Sequence, residues 1–187
     1  VGAIIITLIL SIAMFVAMLL GDDPAFKQEA SFTWLDMGAF SIQLGFLVDN
    51  ITVIMLLVVA LISTCTHVFS LKYLEGDIRY SRYFAYLGLF TFSMNGIVLA
   101  NNLISMYMSW ELVGVSSYLL IGHWFEKDSA ANAAKKAFLT NRVGDIGFFI
   151  GIMLIYTAIG SFAFGDIFEG VAAGTLSGTT LTLAGVG

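Results

Sequence analysis

One carboxylate, Glu111, stands inside the uncharged run from Leu103 to Trp124. As a helix that run would reach about 33 Å, roughly the hydrocarbon thickness of a bilayer, and Glu111 lies near neither end. A charged side chain at such depth costs roughly 2.5 to 3.5 kcal/mol on insertion scales, so an intramembrane carboxylate is read as a proton- or ion-handling group with a partner. Its own helical face carries Tyr107, Met108, Gly114, Val115 and Tyr118, at spacings of three, four and seven. Glycine at 114 leaves room for a second element to come close to the carboxylate. Burial favours the neutral acid and a nearby cation favours the charged form, so a movable lysine would switch Glu111 between holding and releasing a proton. The static alternative is a structural glutamate hydrogen-bonded to one of the two tyrosines.

A second group comprises Lys135, Arg142 and Asp145, with Asn141 beside it. The spacings of seven and three put all three charges on or near one helical face. Arg142 with Asp145 reads either as an ion pair that lowers the cost of bringing both groups into low dielectric, or as a relay that admits protons from the basic side toward Glu111. His67, beside Ser63, Thr64 and Thr66, has a reference pKa suited to a relay, although a lone histidine is as readily a satisfied packing residue. His123 next to Trp124 reads as interfacial, Asp49 as a helix cap, and Trp110 and Tyr118 as packing or as cavity lining. Cys65, the one cysteine, reads as a small packing residue. GxGxxG, GxxxxGK[ST] and CxxC patterns are lacking, as are clusters with metal-ligand spacing, so no nucleotide, flavin, iron-sulfur or metal site is expected in this chain. Ser116-Ser117 has no histidine at triad spacing.

The elements that must hold these groups are membrane spans. Of 187 residues, 59% are hydrophobic and 11% charged, and mean hydropathy is +0.93; soluble domains carry about 25% charged residues. The expected fold is an all-α polytopic bundle of about five transmembrane helices plus a partial sixth, in a single membrane domain over residues 1–187. The helices are placed at about 1–20, 49–71, 83–100, 103–124 and 137–159. Gly21-Asp22-Asp23-Pro24 ends the first. Alternating polar and apolar residues in Ser31 to Leu35 and Phe40 to Leu44, around Asp36-Met-Gly38, predict a β-hairpin on the membrane surface. The uninterrupted apolar part of the fifth helix, Ile146 to Ile159, is too short to span at about 14 residues, so the turns holding Arg142 and Asp145 must enter the membrane with it. Phe162 to Phe168 reads as a surface segment, and Leu181 to Gly187 as the opening of the sixth helix.

Loop charge sets an orientation. Lys72, Arg79 and Arg82 lie on one loop and Lys127, Lys135 and Lys136 on another, whereas the opposite side has only Lys27. The two basic loops are expected on the cytoplasmic or matrix side and the hairpin on the other. With a net charge of −5 and no basic cluster larger than Lys135-Lys136, nucleic acid is not an expected partner.

Phe46-Leu-Val-Asp-Asn-Ile, Tyr80-Ser-Arg-Tyr-Phe-Ala-Tyr, Leu99-Ala-Asn-Asn-Leu, Ser109-Trp-Glu-Leu-Val-Gly-Val-Ser-Ser-Tyr-Leu-Leu-Ile-Gly and Lys136-Ala-Phe-Leu-Thr-Asn-Arg-Val-Gly-Asp-Ile-Gly together resemble the NADH-quinone oxidoreductase subunit L family, chain 5 of respiratory complex I. That resemblance implies an antiporter-like, proton-translocating membrane subunit in which Glu111 works with a lysine on a later helix. It also implies that NADH, flavin, iron-sulfur clusters and quinone are bound by other subunits, and that the partners are the bilayer, protons and the remaining membrane-arm subunits. Members are several times longer, so the sequence is expected to be roughly the first third of such a subunit, with the cationic partner of Glu111 beyond Gly187. The expected location is a bacterial plasma membrane, or alternatively a mitochondrial inner membrane. The large subunit of a multisubunit sodium/proton antiporter, which shares the Trp-Glu helix, is the rival reading, and a structural membrane scaffold is the third.

Overall fold

A computed structural model describes residues 1–21, 26–36 and 41–174. Its elements are α1 (Gly2–Leu20), β1 (Lys27–Asp36), β2 (Ser41–Asp49), α2 (Asn50–Tyr73), α3 (Tyr80–Leu99), α4 (Leu103–Ile121), α5 (Asp128–Ile159) and α6 (Phe164–Ala172). This is the expected membrane bundle with a small sheet. Four helices, α1, α2, α4 and α5, are long and apolar enough to cross a membrane. At 20 residues α3 is of similar length, but Ser81, Arg82, Ser93 and Asn95 make it more polar, and it packs between α2 and α4.

The burial pattern is that of a protein solvated by lipid. Ile6, Leu10, Leu20, Ile51, Ile62, Phe69, Phe92, Leu139, Val143 and Ile146 face outward, while Ser63, His67, Ser70, Thr91, Ser93 and Ser116 are buried between helices. Lipid tails are as apolar as leucine, so helices gain little by hiding leucines from them. They gain by close packing at small residues and by hydrogen bonds between them. Cys65 follows the outward pattern: its thiol is exposed.

The boundaries differ from expectation in the second half. The fourth helix ends at Ile121 rather than near Trp124, and Gly122 to Lys127 form the turn. The fifth helix, expected from about residue 137, starts at Asp128 and runs 32 residues, about 48 Å, as one helix. Ala130, Ala131, Ala133 and Ala134 supply the helix propensity there, while Asp128 favours the first turn electrostatically. The expected surface segment at Phe162 to Phe168 is mostly helix α6, whose Ile167 is buried with Leu103, Ile152 and Phe162. Asp22 to Pro24, the hairpin turn at Met37 to Phe40 and the partial helix at Leu181 to Gly187 lie outside the described residues.

The hairpin pairs β1 with β2 antiparallel, from Lys27 opposite Asp49 to Asp36 opposite Ser41, with an irregularity between Thr33 and Leu35. Asp49 caps α2 as expected, its Oδ1 accepting from Thr52 N–H at 2.8 Å. Two asparagines fasten this outer end. Asn101 Nδ2 donates to Glu29 Oε1 (3.1 Å), and Asn102 Nδ2 donates to the Gln43 carbonyl (2.8 Å). Asn102 Oδ1 also caps α4 at Ser105 N–H, and the backbones of Leu103 and Phe164 bond to Phe162 and Asn101. The start of α4 is therefore level with the end of α5. Gly45 sits where this junction is tightest: a Cβ there would collide with Asn101 Nδ2 and the Ala30 carbonyl.

Candidate functional site

Counting from Leu103 at 1.5 Å per residue, Glu111 lies about 12 Å from the outer end of α4 and about 15 Å from the inner end at Ile121. It does not bond to either tyrosine on its face. Its Oε2 makes an ion pair with Nη1 of Arg142 on α5. Glu111 thus has a cationic partner within the described residues, in addition to the lysine expected beyond Gly187. Antiparallel packing brings residue 111 to the level of 145, so Arg142 reaches across one turn to the carboxylate. Gly114 makes the approach feasible, because a Cβ at that position would stand 2.9 Å from Arg142 Nη2.

Arg142 is shared. Its Nη2 lies 3.1 Å from Asp145 Oδ2, one turn further along α5, and its guanidinium rests over the Phe138 ring at 4.9 Å. Asp145 is 5% exposed overall, the most enclosed charge of the three, and Trp110 Nε1 donates to its Oδ1 at 2.9 Å. Two carboxylates and one guanidinium thus form a triad of net charge −1, held by an indole on α4 and a phenyl ring on α5. Trp110, expected to pack or to line a cavity, lines the cleft beside the triad and also bonds Asp145. Its hydrogen bond is a role that its place beside Glu111 did not by itself reveal. Arg142 Nε and Nη2 and Asp145 Oδ2 are buried without an aligned hydrogen bond among the described residues, so the triad has unused donor and acceptor capacity. Beside it opens a cleft of about 710 Å³ lined by Met106, Trp110, Gly114, Asn141, Asp145 and Phe148, among others.

The remaining candidates stand elsewhere. Lys135 is exposed and makes no ion pair among the described residues, and it lies about two turns from Arg142 toward the inner end. His67 is 2% exposed, its Nδ1 donating to the Ser63 carbonyl at 2.8 Å; Ser63 Oγ continues to Thr91 Oγ1 at 2.6 Å. That chain joins α2 to α3 and touches none of the triad. His123, read as interfacial, is buried at the inner end of α4. Its Nε2 is 3.4 Å from Asp77 Oδ2, which also accepts from Trp124 Nε1 at 3.0 Å. Arg79 N–H donates to the other Asp77 oxygen at 2.7 Å, and these three donors hold the Asp77 carboxyl below its ordinary range, the Arg79 backbone first.

The family model described as "NADH-Ubiquinone oxidoreductase (complex I), chain 5 N-terminus" matches residues 34–84, and that described as "NADH:quinone oxidoreductase/Mrp antiporter, TM" matches residues 100–186. The chloroplastic NAD(P)H-quinone oxidoreductase subunit 5 of Adiantum capillus-veneris is 44% identical over 161 residues, covering 84% of this chain and 22% of its own length. The chain belongs to the complex I chain 5 family. A further chain 5 relative, from the organellar chromatophore of Paulinella chromatophora, is 43% identical over 166 residues, covering 89% of this chain and 25% of its own. This chain 5 sequence therefore spans about a quarter or less of the curated relatives it matches. In fold it is similar to a chain of the membrane-bound sulfane sulfur reductase, an archaeal respiratory membrane complex, with a TM-score of 0.77 and 17% identity over 97% of this chain and 35% of that one.

Proposed function

We propose that this chain forms part of the proton-translocating membrane arm of an NADH:quinone oxidoreductase, with Glu111 as the carboxylate that carries a proton inside the bilayer. The observation that carries the reading is the Glu111–Arg142 ion pair at mid-membrane, shared with Asp145. A shared guanidinium is a switch. When Arg142 bonds Glu111, the carboxylate is held charged; when Arg142 turns wholly to Asp145, Glu111 loses its counter-ion in low dielectric and takes up a proton. The two states differ by a swing of one long side chain, for which Gly114 leaves the space.

In this reading NADH, flavin, iron-sulfur clusters and quinone belong to other subunits, whose redox chemistry drives the swing. Arg142 and Asp145 are the inner part of the path, Lys135 stands at its mouth, and His67 lies off it. A lysine on a later helix of the full subunit takes part on the far side of Glu111. The chain forms a single membrane domain with both basic loops on the side from which protons are drawn. The host membrane is a bacterial plasma membrane, with the chloroplast relatives supporting a photosynthetic membrane as the second choice.

The test uses Glu111→Gln in the full-length subunit, in inverted vesicles containing the assembled complex. NADH-driven proton uptake should fall severalfold or more while assembly on native gels is unchanged. Intact pumping together with lost NADH-independent Na+/H+ exchange would favour the antiporter. Loss of assembly at normal pumping per assembled complex would favour the scaffold.

A further inference from the structure

At the inner end of the bundle a second cleft, of about 340 Å³, lies between the first turn of α3, the α4–α5 turn and the second turn of α5. Two cations line it, Arg82 and Lys135. Neither has a carboxylate partner among the described residues, whereas two other cations at this end, Lys72 in the last turn of α2 and Arg79 before α3, are paired with Glu75 and Glu126. Arg82 is nevertheless held in place: its Nε donates to Tyr86 Oη at 2.7 Å, and its guanidinium lies 5.5 Å from the Tyr86 ring and 5.8 Å from Phe125. No carboxylate is among the lining residues. His123 also borders the cleft but is committed to Asp77.

Depth decides what such a cleft meets. A Cβ on Gly122 would touch Ala134 Cβ at 3.4 Å, so the second turn of α5 is level with the end of α4, where the apolar span stops. Trp124 and Phe125 stand at the same level, as aromatic residues do at the headgroup boundary. The walls deeper than the cations, Tyr86, Tyr118 and Leu119, are aromatic or apolar and lead toward the hydrocarbon. Arg142 lies about 10 Å deeper than Lys135, so this place is distinct from the Glu111 triad.

We propose that this cleft binds the phosphodiester of an anionic glycerophospholipid, with Arg82 and Lys135 as its cationic ligands and the apolar wall receiving the glycerol and the upper acyl chains. Two unpaired cations on rigid helices at headgroup depth match a singly charged phosphodiester, and Arg82 is preset by Tyr86 to present its remaining N–H groups. A zwitterionic lipid offers the same phosphate but brings its own ammonium, which the two cations repel. The lipid would tie α3 to the α4–α5 connection at the inner surface, independently of whether Glu111 carries protons.

The test is native mass spectrometry of the full-length subunit in its complex, after exchange into nanodiscs of phosphatidylcholine with or without phosphatidylglycerol. The wild-type complex should retain phosphatidylglycerol in preference to phosphatidylcholine. Arg82→Gln with Lys135→Gln should weaken that retention about thirtyfold, the factor that two cations give at the strength of surface Lys or Arg residues. Arg82→Lys with Lys135→Arg should keep it, which separates lost charge from lost folding, and Arg79→Gln should leave it unchanged. Equal retention of the two lipids, equal retention by the Gln pair, or displacement of the lipid by millimolar inorganic phosphate would each overturn the proposal, the last by marking a free-anion site.

Discussion

Replacing Arg142 by methionine keeps the volume of the side chain and removes the one positive charge that Glu111 and Asp145 share. The triad goes from net −1 to net −2 at mid-membrane. Asp145, already 5% exposed, keeps only the Trp110 indole as donor. Breaking a buried ion pair by deleting one partner costs about 3–5 kcal/mol. The cleft beside the triad has room for water, which screens the surplus charge, so the lower end of that range, about 3 kcal/mol, is expected, or roughly a hundredfold in the folding equilibrium. The measurement is reversible unfolding of the full-length subunit in mixed micelles, run in parallel on four forms: wild type, Arg142→Met, Arg142→Met with Asp145→Asn, and Arg142→Met with both Asp145→Asn and Glu111→Gln. Each added neutral residue removes one uncompensated charge, so stability should climb back stepwise while proton pumping stays lost. A cost under about 1 kcal/mol for Arg142→Met, or carboxylate substitutions that deepen the loss instead of relieving it, would show that the triad charges do not stabilise one another.

Three other outcomes follow from the same geometry. Gly114→Ala places a methyl 2.9 Å from Arg142 Nη2; the flexible guanidinium gives way, so stability should change by about 1 kcal/mol or less while pumping slows, and unaltered pumping would detach Arg142 from the mechanism. Gly45→Ala meets backbone at Ala30 as well as Asn101 and has nowhere to move, so the hairpin should shift at a cost of about 1–3 kcal/mol, read as faster proteolysis between β1 and β2. Asp77 has its carboxyl held below the ordinary value of 3.8, so its contribution is complete above that pH and is lost only as pH falls through the lower folded value. Trp124 fluorescence should therefore be flat from pH 8 to about 5 as far as Asp77 is concerned. Asp77→Asn should abolish the acid-end change, and a neutral-range step that disappears in this variant would contradict the assignment.

The sequence made legible whatever depends on chain position alone. Glu111 is deep because uncharged residues flank it on both sides, and the hairpin is readable from its alternation around Asp36-Met-Gly38. The spacing of Arg142 and Asp145 places both on one face of a helix. What it did not reveal depends on how two helices are set against each other. Spacing alone makes Arg142 a partner of Asp145, or a relay toward Glu111, but not the direct partner of Glu111, because a pairing across 31 positions requires the level at which α4 and α5 cross. That level is fixed by the bond from Leu103 to Phe162 and by the contact of Gly122 with Ala134, neither of which has a signature in either segment. Gly114 was the available signal: it pointed to a close approach without saying what approached. The early start of α5 was missed for another reason. Asp128, Asn132, Lys135 and Lys136 look like loop residues by polarity, and the four alanines among them carry the helix instead.

Both ends of α4 are tethered. Asn101 and Asn102 bind the outer end to the hairpin and to α6, while His123 and Trp124 bind the inner end to Asp77 on the α2–α3 loop. A rod pinned at two ends can neither slide nor tilt far. On the mechanism proposed above, movement would then fall to the Arg142 guanidinium on α5. In hydrogen exchange on the full-length subunit this predicts slow amides along α4, with any condition-dependent exchange appearing on α5 around Arg142.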